Sequence, residues 1–387
     1  MINKACRYYK ASKPCRFNKL DGSECPSCRH VSEFKERILF VKLDAIGDVL
    51  RSASLLPTVV ARHERPYLAW LTRRESAELV GMMKYVDEVI ELSDVGMARV
   101  ATGDWDFVYS LSNDMASASI ASTAPARHTP IGFYARNGVI EASNAAAETW
   151  LEMGAFDRLK RENRESYQRR MLAILGADGG EIPPPALEIA PTLQRDVAGR
   201  IARLFPGSDR RRAAVNIGAG FRWPKKMLDV DAIVGFIRRL RARADVDVLL
   251  LGGAAEAAKA KAILAQCGSD ERIQLALTET SIPEFTAVLA SVDVLLCGDT
   301  LAMHIATAVG LPMVALFGPT SSAEIWDFDG LIAKEWTPEL DCLVCYGDCA
   351  KERNCMSLLD LDRLVDLTLA QLSRPRPNPV QRAAGPG

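Results

Sequence analysis

From Arg37 to Gly318 the chain switches again and again between short apolar runs and segments of helical spacing, and that alternation limits its fold more than any other feature. The run ILFVK (38–42) breaks at LDAIGD and resumes with helical spacing in VLRSASLLPTVVARH. YLAWL, a polar-apolar helix from Glu75 to Met83, DEVIEL and DFVYSL follow. Strands interleaved with helices imply a parallel sheet covered on both faces. The stretch GADGGEIPPPALEIA (176–190) joins glycines to three consecutive prolines, which stops helices and stiffens the path. The alternation then resumes as AAVNIG, a helix from Val230 to Arg243, DVDVLLLGG and a helix from Glu256 to Gln266. RIQLAL, a helix from Pro283 to Ala290, DVLLCGD, a helix from Met303 to Val309 and PMVALFG complete it.

The expected fold is therefore α/β, with two doubly wound, Rossmann-like domains facing a central cleft. The domain reading is a cysteine-containing extension at 1–36, a first domain at 37–180 and a second at 181–340. A cysteine cluster at 341–356, a helix at 357–373 and a proline- and glycine-rich disordered tail at 374–387 end the chain. Charged residues at 25%, hydrophobic ones at 48% and a net charge of −1 describe a globular protein without the basic field that nucleic acid demands. Arg210, Arg211 and Arg212 read as a solvated loop. The N-terminus lacks the charged-then-apolar order of a signal peptide, and no run approaches a membrane helix in length, so a cytoplasmic location is expected. Ten cysteines there point to metal or redox chemistry rather than disulfides.

Four segments carry chemistry. In KLDAIGDVL, Gly47 and Asp48 fall where the first strand becomes a helix; Asp48 fits a helix-terminal aspartate or a general base for a hydroxyl. In GDTLAMHIATAVGLPMVALFG, Asp299 and Thr300 sit on a loop whose following amides, through Leu301 and Ala302, can grip a phosphate. His304 follows and also fits a helix-surface histidine, while Gly318, Pro319 and Thr320 flank the same crevice. NIGAGFRWPKKML ends a strand in Gly218 and then offers Arg222, Lys225 and Lys226 to neutralise a leaving diphosphate. LLLGGAAEAAKA sets Glu256 just past Gly252 and Gly253, where a carboxylate can accept from ribose hydroxyls.

VKLDAIGDVLRSASLLP, WPKK, LLGG with Glu256, and CGDTLAMHIATAVGLPMVALFGPT together resemble the heptosyltransferases of glycosyltransferase family 9 in order and spacing. The resemblance spans roughly Arg37 to Met356 and is most specific from Asp299 to Thr320. It implies the GT-B architecture, with heptose transfer from ADP-heptose, inversion of the anomeric centre and no cofactor at the reaction centre. Asp48 would be the base, Lys226 more than Lys225 would hold the donor diphosphate, and Glu256 the ribose. Asp299, Thr300, Leu301 and Ala302 would contact the donor sugar and phosphates. The acceptor would be a lipopolysaccharide core or related glycan, with peripheral association at the inner membrane. Arg51, Arg73, Arg74, Arg127 and Arg136 are candidates for an anionic glycolipid. Leu228 and Asp229 depart from the family's tryptophan and proline, and Leu301 from its glycine, at positions expected to line the donor site. Alternative readings are a GT-B transferase with another sugar nucleotide or a protein acceptor, and a non-catalytic nucleotide-sugar-binding or metal-sensing protein.

Eight cysteines fall into two sets of four: Cys6, Cys15, Cys25 and Cys28 before the first strand, and Cys342, Cys345, Cys349 and Cys355 after the last. The close pairs in ECPSC and CLVCYGDC let two thiolates share an ion, and four satisfy tetrahedral zinc or iron. The second set also resembles a segment of iron-carrying glycosyltransferases. Both sets are expected to be structural staples outside the donor motifs, and Cys267 and Cys297 to be buried apolar side chains.

Overall fold

The structure is a computed structural model that describes residues 1–10, 12–218, 226–268, 270–276, 280–337, 340–347 and 349–375. Arg222, Lys225 and the end of the expected disordered tail lie outside the described residues. The chain divides into two compact units, one of Met1–Lys160 with Arg169–Glu181, the other of Arg161–Gln168 with Ile182 onward.

The first unit is built on six strands: β1 (Glu36–Val41), β2 (Pro66–Thr72), β3 (Glu88–Glu91), β4 (Phe107–Ser110), β5 (Ile131–Arg136) and β6 (Val139–Ala142), in the order β3-β2-β1-β4-β5-β6. All pairs are parallel except β5 with β6. In β1, Ile38 to Val41 are all fully buried, as both faces of a covered parallel sheet require. The expected long helix after β1 is three pieces: a helix at Ile46–Ser52, a 3-10 turn at Ala53–Leu55 and a second helix at Leu56–Val60. Pro57 explains the restart, since proline is accepted in the first turn of a helix but not in its interior.

The second unit carries β7 (Arg211–Asn216), β8 (Val246–Leu251), β9 (Ile273–Leu275), β10 (Val294–Gly298), β11 (Met313–Phe317) and β12 (Ile332–Trp336), all parallel, in the order β12-β11-β10-β7-β8-β9. Every residue of β8 is buried. Helix Val230–Arg243 covers the sheet with Ile233, Val234, Phe236, Ile237 and Leu240, a spacing that gathers one apolar stripe. Burial of each such side chain contributes about 1.5–3 kcal/mol. The last helix, Leu361–Leu372, buries Leu364, Val365 and Leu372 in the same core. It starts at the Asp360 cap, later than the sequence predicts, because that carboxylate accepts the Asp362 and Arg363 amides.

In both sheets the strand order reverses beside the first strand, between β1 and β4 and between β7 and β10. Such switch points open a crevice past the carboxyl ends of the strands, where ligands of doubly wound sheets bind.

Candidate donor site on the second sheet

Asn216, Lys226, Asp299 and Thr300 meet at the switch point of the second sheet. Asn216 ends β7 and donates to the Gly218 carbonyl at 2.9 Å and to the Thr300 hydroxyl at 3.3 Å. Asp299 follows β10, and Thr300 caps helix Leu301–Ala308 without a side-chain bond to its first turn, leaving that end of the helix to attract an anion. Lys226 lays its backbone over Gly298: a Cβ there would stand 2.1 Å from the Lys226 carbonyl oxygen. The close approach delivers the ammonium to Asp299, 3.2 Å from Oδ2 and 3.1 Å from the backbone carbonyl. His304 Nε2 lies 3.9 Å from the other carboxylate oxygen. Burial pushes the Asp299 carboxyl up, but Lys226 and His304 outweigh it and hold the group below the usual carboxylate range.

Glu256 sits beside this crevice on the 3-10 turn Ala254–Glu256, where its carboxylate accepts the Gly253 amide at 2.9 Å. Gly218 and Gly252 make room for it, since a Cβ on either would come within 2.9 and 3.0 Å of the Glu256 side chain. Sequence reasoning passed over Lys259, one turn on, whose ammonium donates to the Ile217 carbonyl at 3.0 Å and the Leu228 carbonyl at 2.7 Å. It thereby ties the loop after β7 to the segment that follows Lys226. Burial lowers the Lys259 pKa. The signal available was its spacing, three residues past Glu256 on one helix face. Asn216 was likewise missed, although a polar residue ending an apolar strand is a recognisable sign of a binding edge.

Two expectations are corrected here. Leu228 is fully buried in the core, and Asp229 caps helix Val230–Arg243 by accepting the Ala232 amide at 2.9 Å; these positions build the fold rather than line the donor crevice. Of the other site residues, Leu301 is partly exposed at the helix start and Ala302 is buried.

The C-terminal cysteines lie nearer this site than their place in the sequence implies. A Cβ on Gly318 would stand 2.4 Å from the Cys355 sulfur, and the Tyr346 amide donates to the Pro319 carbonyl at 2.9 Å. Burial, then the charges of Cys345, Cys349 and Cys342, raise the Cys355 thiol. All ten cysteines are free. Among the described residues no group of three or more His, Cys, Asp or Glu is already placed to hold a metal. Cys297 is fully buried, and Cys267 packs partly buried against the core.

At the switch point of the first sheet, Asp48 stands in the first turn of helix Ile46–Ser52 and pairs with Arg51 at 2.8 Å. Lys42, buried at the end of β1, donates to the Leu111 carbonyl at 3.0 Å and pairs with Asp44 at 2.8 Å. Ser112 also donates to Asp44. Burial acts to raise the Asp44 carboxyl, yet Lys42 dominates and keeps it low. Arg73 donates to the Leu43 carbonyl at 2.7 Å, on this same edge. Arg127 does not belong here: it precedes β5, at the opposite edge, bound to Asp104 and Asp106. Arg136 pairs with Glu141 across the β5–β6 hairpin at 3.4 Å.

No curated protein matches the chain in sequence. Solved structures do match in fold: Escherichia coli ADP-heptose lipopolysaccharide heptosyltransferase II, at 19% identity and TM-score 0.64, over 90% of this chain and 100% of that one. A glycosyltransferase family 9 protein of Veillonella parvula matches at 14% and 0.69, over 87% and 97%. E. coli heptosyltransferase WaaC with ADP-2-deoxy-2-fluoro heptose matches at 17% and 0.55, over 90% and 100%. These likenesses establish the two-domain, Rossmann-like GT-B fold. In sequence, residues 185–347, which contain the Lys226–Asp299–Thr300 crevice, match glycosyltransferase family 9 (heptosyltransferase). Its second unit is thus similar in sequence to glycosyltransferase family 9, and the chain shares the fold of the heptosyltransferase structures it matches.

Proposed function

We propose that this protein is an inverting glycosyltransferase that moves a heptose from ADP-heptose to an acceptor hydroxyl on a lipopolysaccharide-core or related glycan. The observation that carries this reading is the Lys226 ammonium held 3.2 Å from the Asp299 carboxylate, beside the start of helix Leu301–Ala308, whose cap Thr300 makes no side-chain bond to the first turn. A cation and a helix N-terminus at a switch point suit a diphosphate whose charge grows as its bond to the sugar breaks. Lys226, with Lys225 behind it in sequence, takes the diphosphate; Asp299, Thr300, Leu301, Ala302 and His304 take the phosphates and sugar; Glu256 takes the ribose. Asp48 removes the proton from the acceptor hydroxyl as that oxygen attacks the anomeric carbon and the nucleotide diphosphate leaves. One displacement inverts the centre without an enzyme nucleophile. Arg51 and Arg73, at the Asp48 edge, suit an anionic glycolipid.

No described helix is long and apolar enough to cross a membrane. We place the reaction in the cytoplasm, peripheral to the inner membrane. Cys342, Cys345, Cys349 and Cys355 are read as a structural zinc or iron site behind Gly318, a reading supported by their spacing and by the packing of Cys355 against Gly318.

The test is mass-spectrometric screening of ADP-heptose against wild type and Asp48→Ala. Wild type should bind the donor and release ADP slowly without acceptor, while the variant binds without turnover. Binding of a different sugar nucleotide in place of ADP-heptose would overturn the donor assignment, and no nucleotide-sugar binding at all would overturn the transferase reading.

A further inference from the structure

Residues 1–35 fold without a core. Not one of their described side chains is buried, and helix Arg16–Asp21 contributes none. Yet the segment is ordered by specific contacts. Cys6 bridges antiparallel to Glu33, the Phe34 amide donates to the Ala5 carbonyl at 3.0 Å, and the Arg7 amide donates to the Ser32 carbonyl at 2.9 Å. A stretch this short that buries so little cannot offset the entropy of ordering itself, and such folds are held by disulfides or by a metal. Its four cysteines are free thiols.

Those four cysteines line one cavity of about 470 Å³. The chain path accounts for the convergence. The bridge at Cys6 brings the first residues of the chain against the segment leaving Cys28, Cys15 caps helix Arg16–Asp21, and Cys25-Pro26-Ser27 form a tight turn closed by the Cys28 amide on the Cys25 carbonyl at 3.4 Å. The His30 amide donates to the Cys28 sulfur at 3.4 Å. The loop is braced from outside: the His30 ring stacks on Phe17 at 3.9 Å, and its Nε2 lies 3.0 Å from Asp21.

We infer that Cys6, Cys15, Cys25 and Cys28 bind one thiophilic divalent ion, zinc or ferrous iron, as a tetrathiolate that stabilises residues 1–35 in place of a core. The sulfurs do not already stand as a coordinating group; each is set by a single staggered torsion, and ligation turns them inward. A site closed by four protein ligands leaves no position for catalysis. Its location agrees. Arg7 anchors the segment to Asp87 at 3.1 Å and to the Pro66 carbonyl at 3.2 Å, where β2 and β3 begin. Asp48 lies past the other end of β1, six residues or roughly 20 Å away.

The test reads metal and not turnover, so it stands or falls apart from the transferase reading. Full-length protein is purified without chelator, and metal per chain is measured by inductively coupled plasma mass spectrometry for wild type, Cys15→Ser/Cys25→Ser and Cys342→Ser/Cys345→Ser. One equivalent should vanish in the first variant and survive in the second, its element deciding between zinc and iron. Cobalt(II) added to stripped wild type should give the intense visible bands of a tetrahedral tetrathiolate, weakened in the first variant. A misfolded variant loses metal trivially, so hydrogen exchange on wild type supplies the second arm: amides within residues 1–35 should lose protection when the metal is chelated. Metal content untouched by the N-terminal substitutions, or unchanged exchange in that segment, overturns the inference.

Discussion

The Lys226 ammonium rests 3.2 Å from the Asp299 carboxylate and 3.1 Å from the Asp299 carbonyl, so one cation is fixed at the end of β10 by a single residue. A diphosphate arriving there meets a positioned charge instead of a mobile side chain. Replacing Lys226 by alanine removes that charge and leaves Asp299 with His304 as its nearest cation. ADP affinity should fall about 10- to 100-fold, as loss of a charged hydrogen bond worth roughly 1.5–3 kcal/mol requires. Titration calorimetry with ADP checks it, and unchanged affinity would remove Lys226 from the donor site.

Gly298→Ala tests the same pairing from beneath. The added methyl meets the Lys226 carbonyl oxygen at 2.1 Å, which real structures do not tolerate, so the Lys226 segment has to lift. The expected result is a stability loss of about 1–3 kcal/mol by urea denaturation together with weakened ADP binding. Stability that drops while ADP binds as in wild type would mean that the backbone contact serves packing alone.

The legibility of these residues differs for physical reasons. Helix Val230–Arg243 appears where its periodicity puts it, because its apolar stripe and the Asp229 cap are local signals. The β5–β6 hairpin was equally local but overlooked: Asn137 and Gly138, both with positive φ, form the Asn-Gly turn that joins two such strands. The need for glycine at 298 could not be read, since it comes from a backbone that approaches from more than seventy residues away. The partners of Lys259, Ile217 and Leu228, were hidden for the same reason, being brought to it by the sheet, although its spacing from Glu256 was legible. Asp48 and Asp299 were legible as candidates because a strand end followed by a helix start marks the ligand edge of a doubly wound sheet.

Asp48→Asn should separate chemistry from binding. The amide keeps the shape of the carboxylate and cannot take a proton, so transfer should fall by at least 100-fold, the lower end of general-base effects, while ADP affinity stays within about twofold. Because Asp48 also pairs with Arg51, thermal unfolding measured in parallel controls for a local structural cost. A variant that transfers at the wild-type rate would refute the assignment of Asp48 as base.

His63 gives the first unit a pH dependence of predictable sign. Its ring contacts the Tyr109 hydroxyl at 2.8 Å and Glu36 at 3.2 Å, and it packs on Phe107 at 4.4 Å. Burial lowers its pKa, and the nearby Glu36 charge recovers only part of the shift. The folded chain therefore binds fewer protons at His63 than the unfolded chain does, between the lowered value and the unfolded value of about 6.5. Stability in that window falls as pH falls, because protonation draws the equilibrium toward the unfolded state. Asp87, raised chiefly by burial, acts in the opposite direction but closer to the carboxylate range. The urea midpoint of wild type, followed by tryptophan fluorescence, should decline from about pH 7 to about pH 5, and His63→Gln should flatten that decline whatever its own baseline stability. An equally steep decline in the variant would show that the dependence arises from other groups.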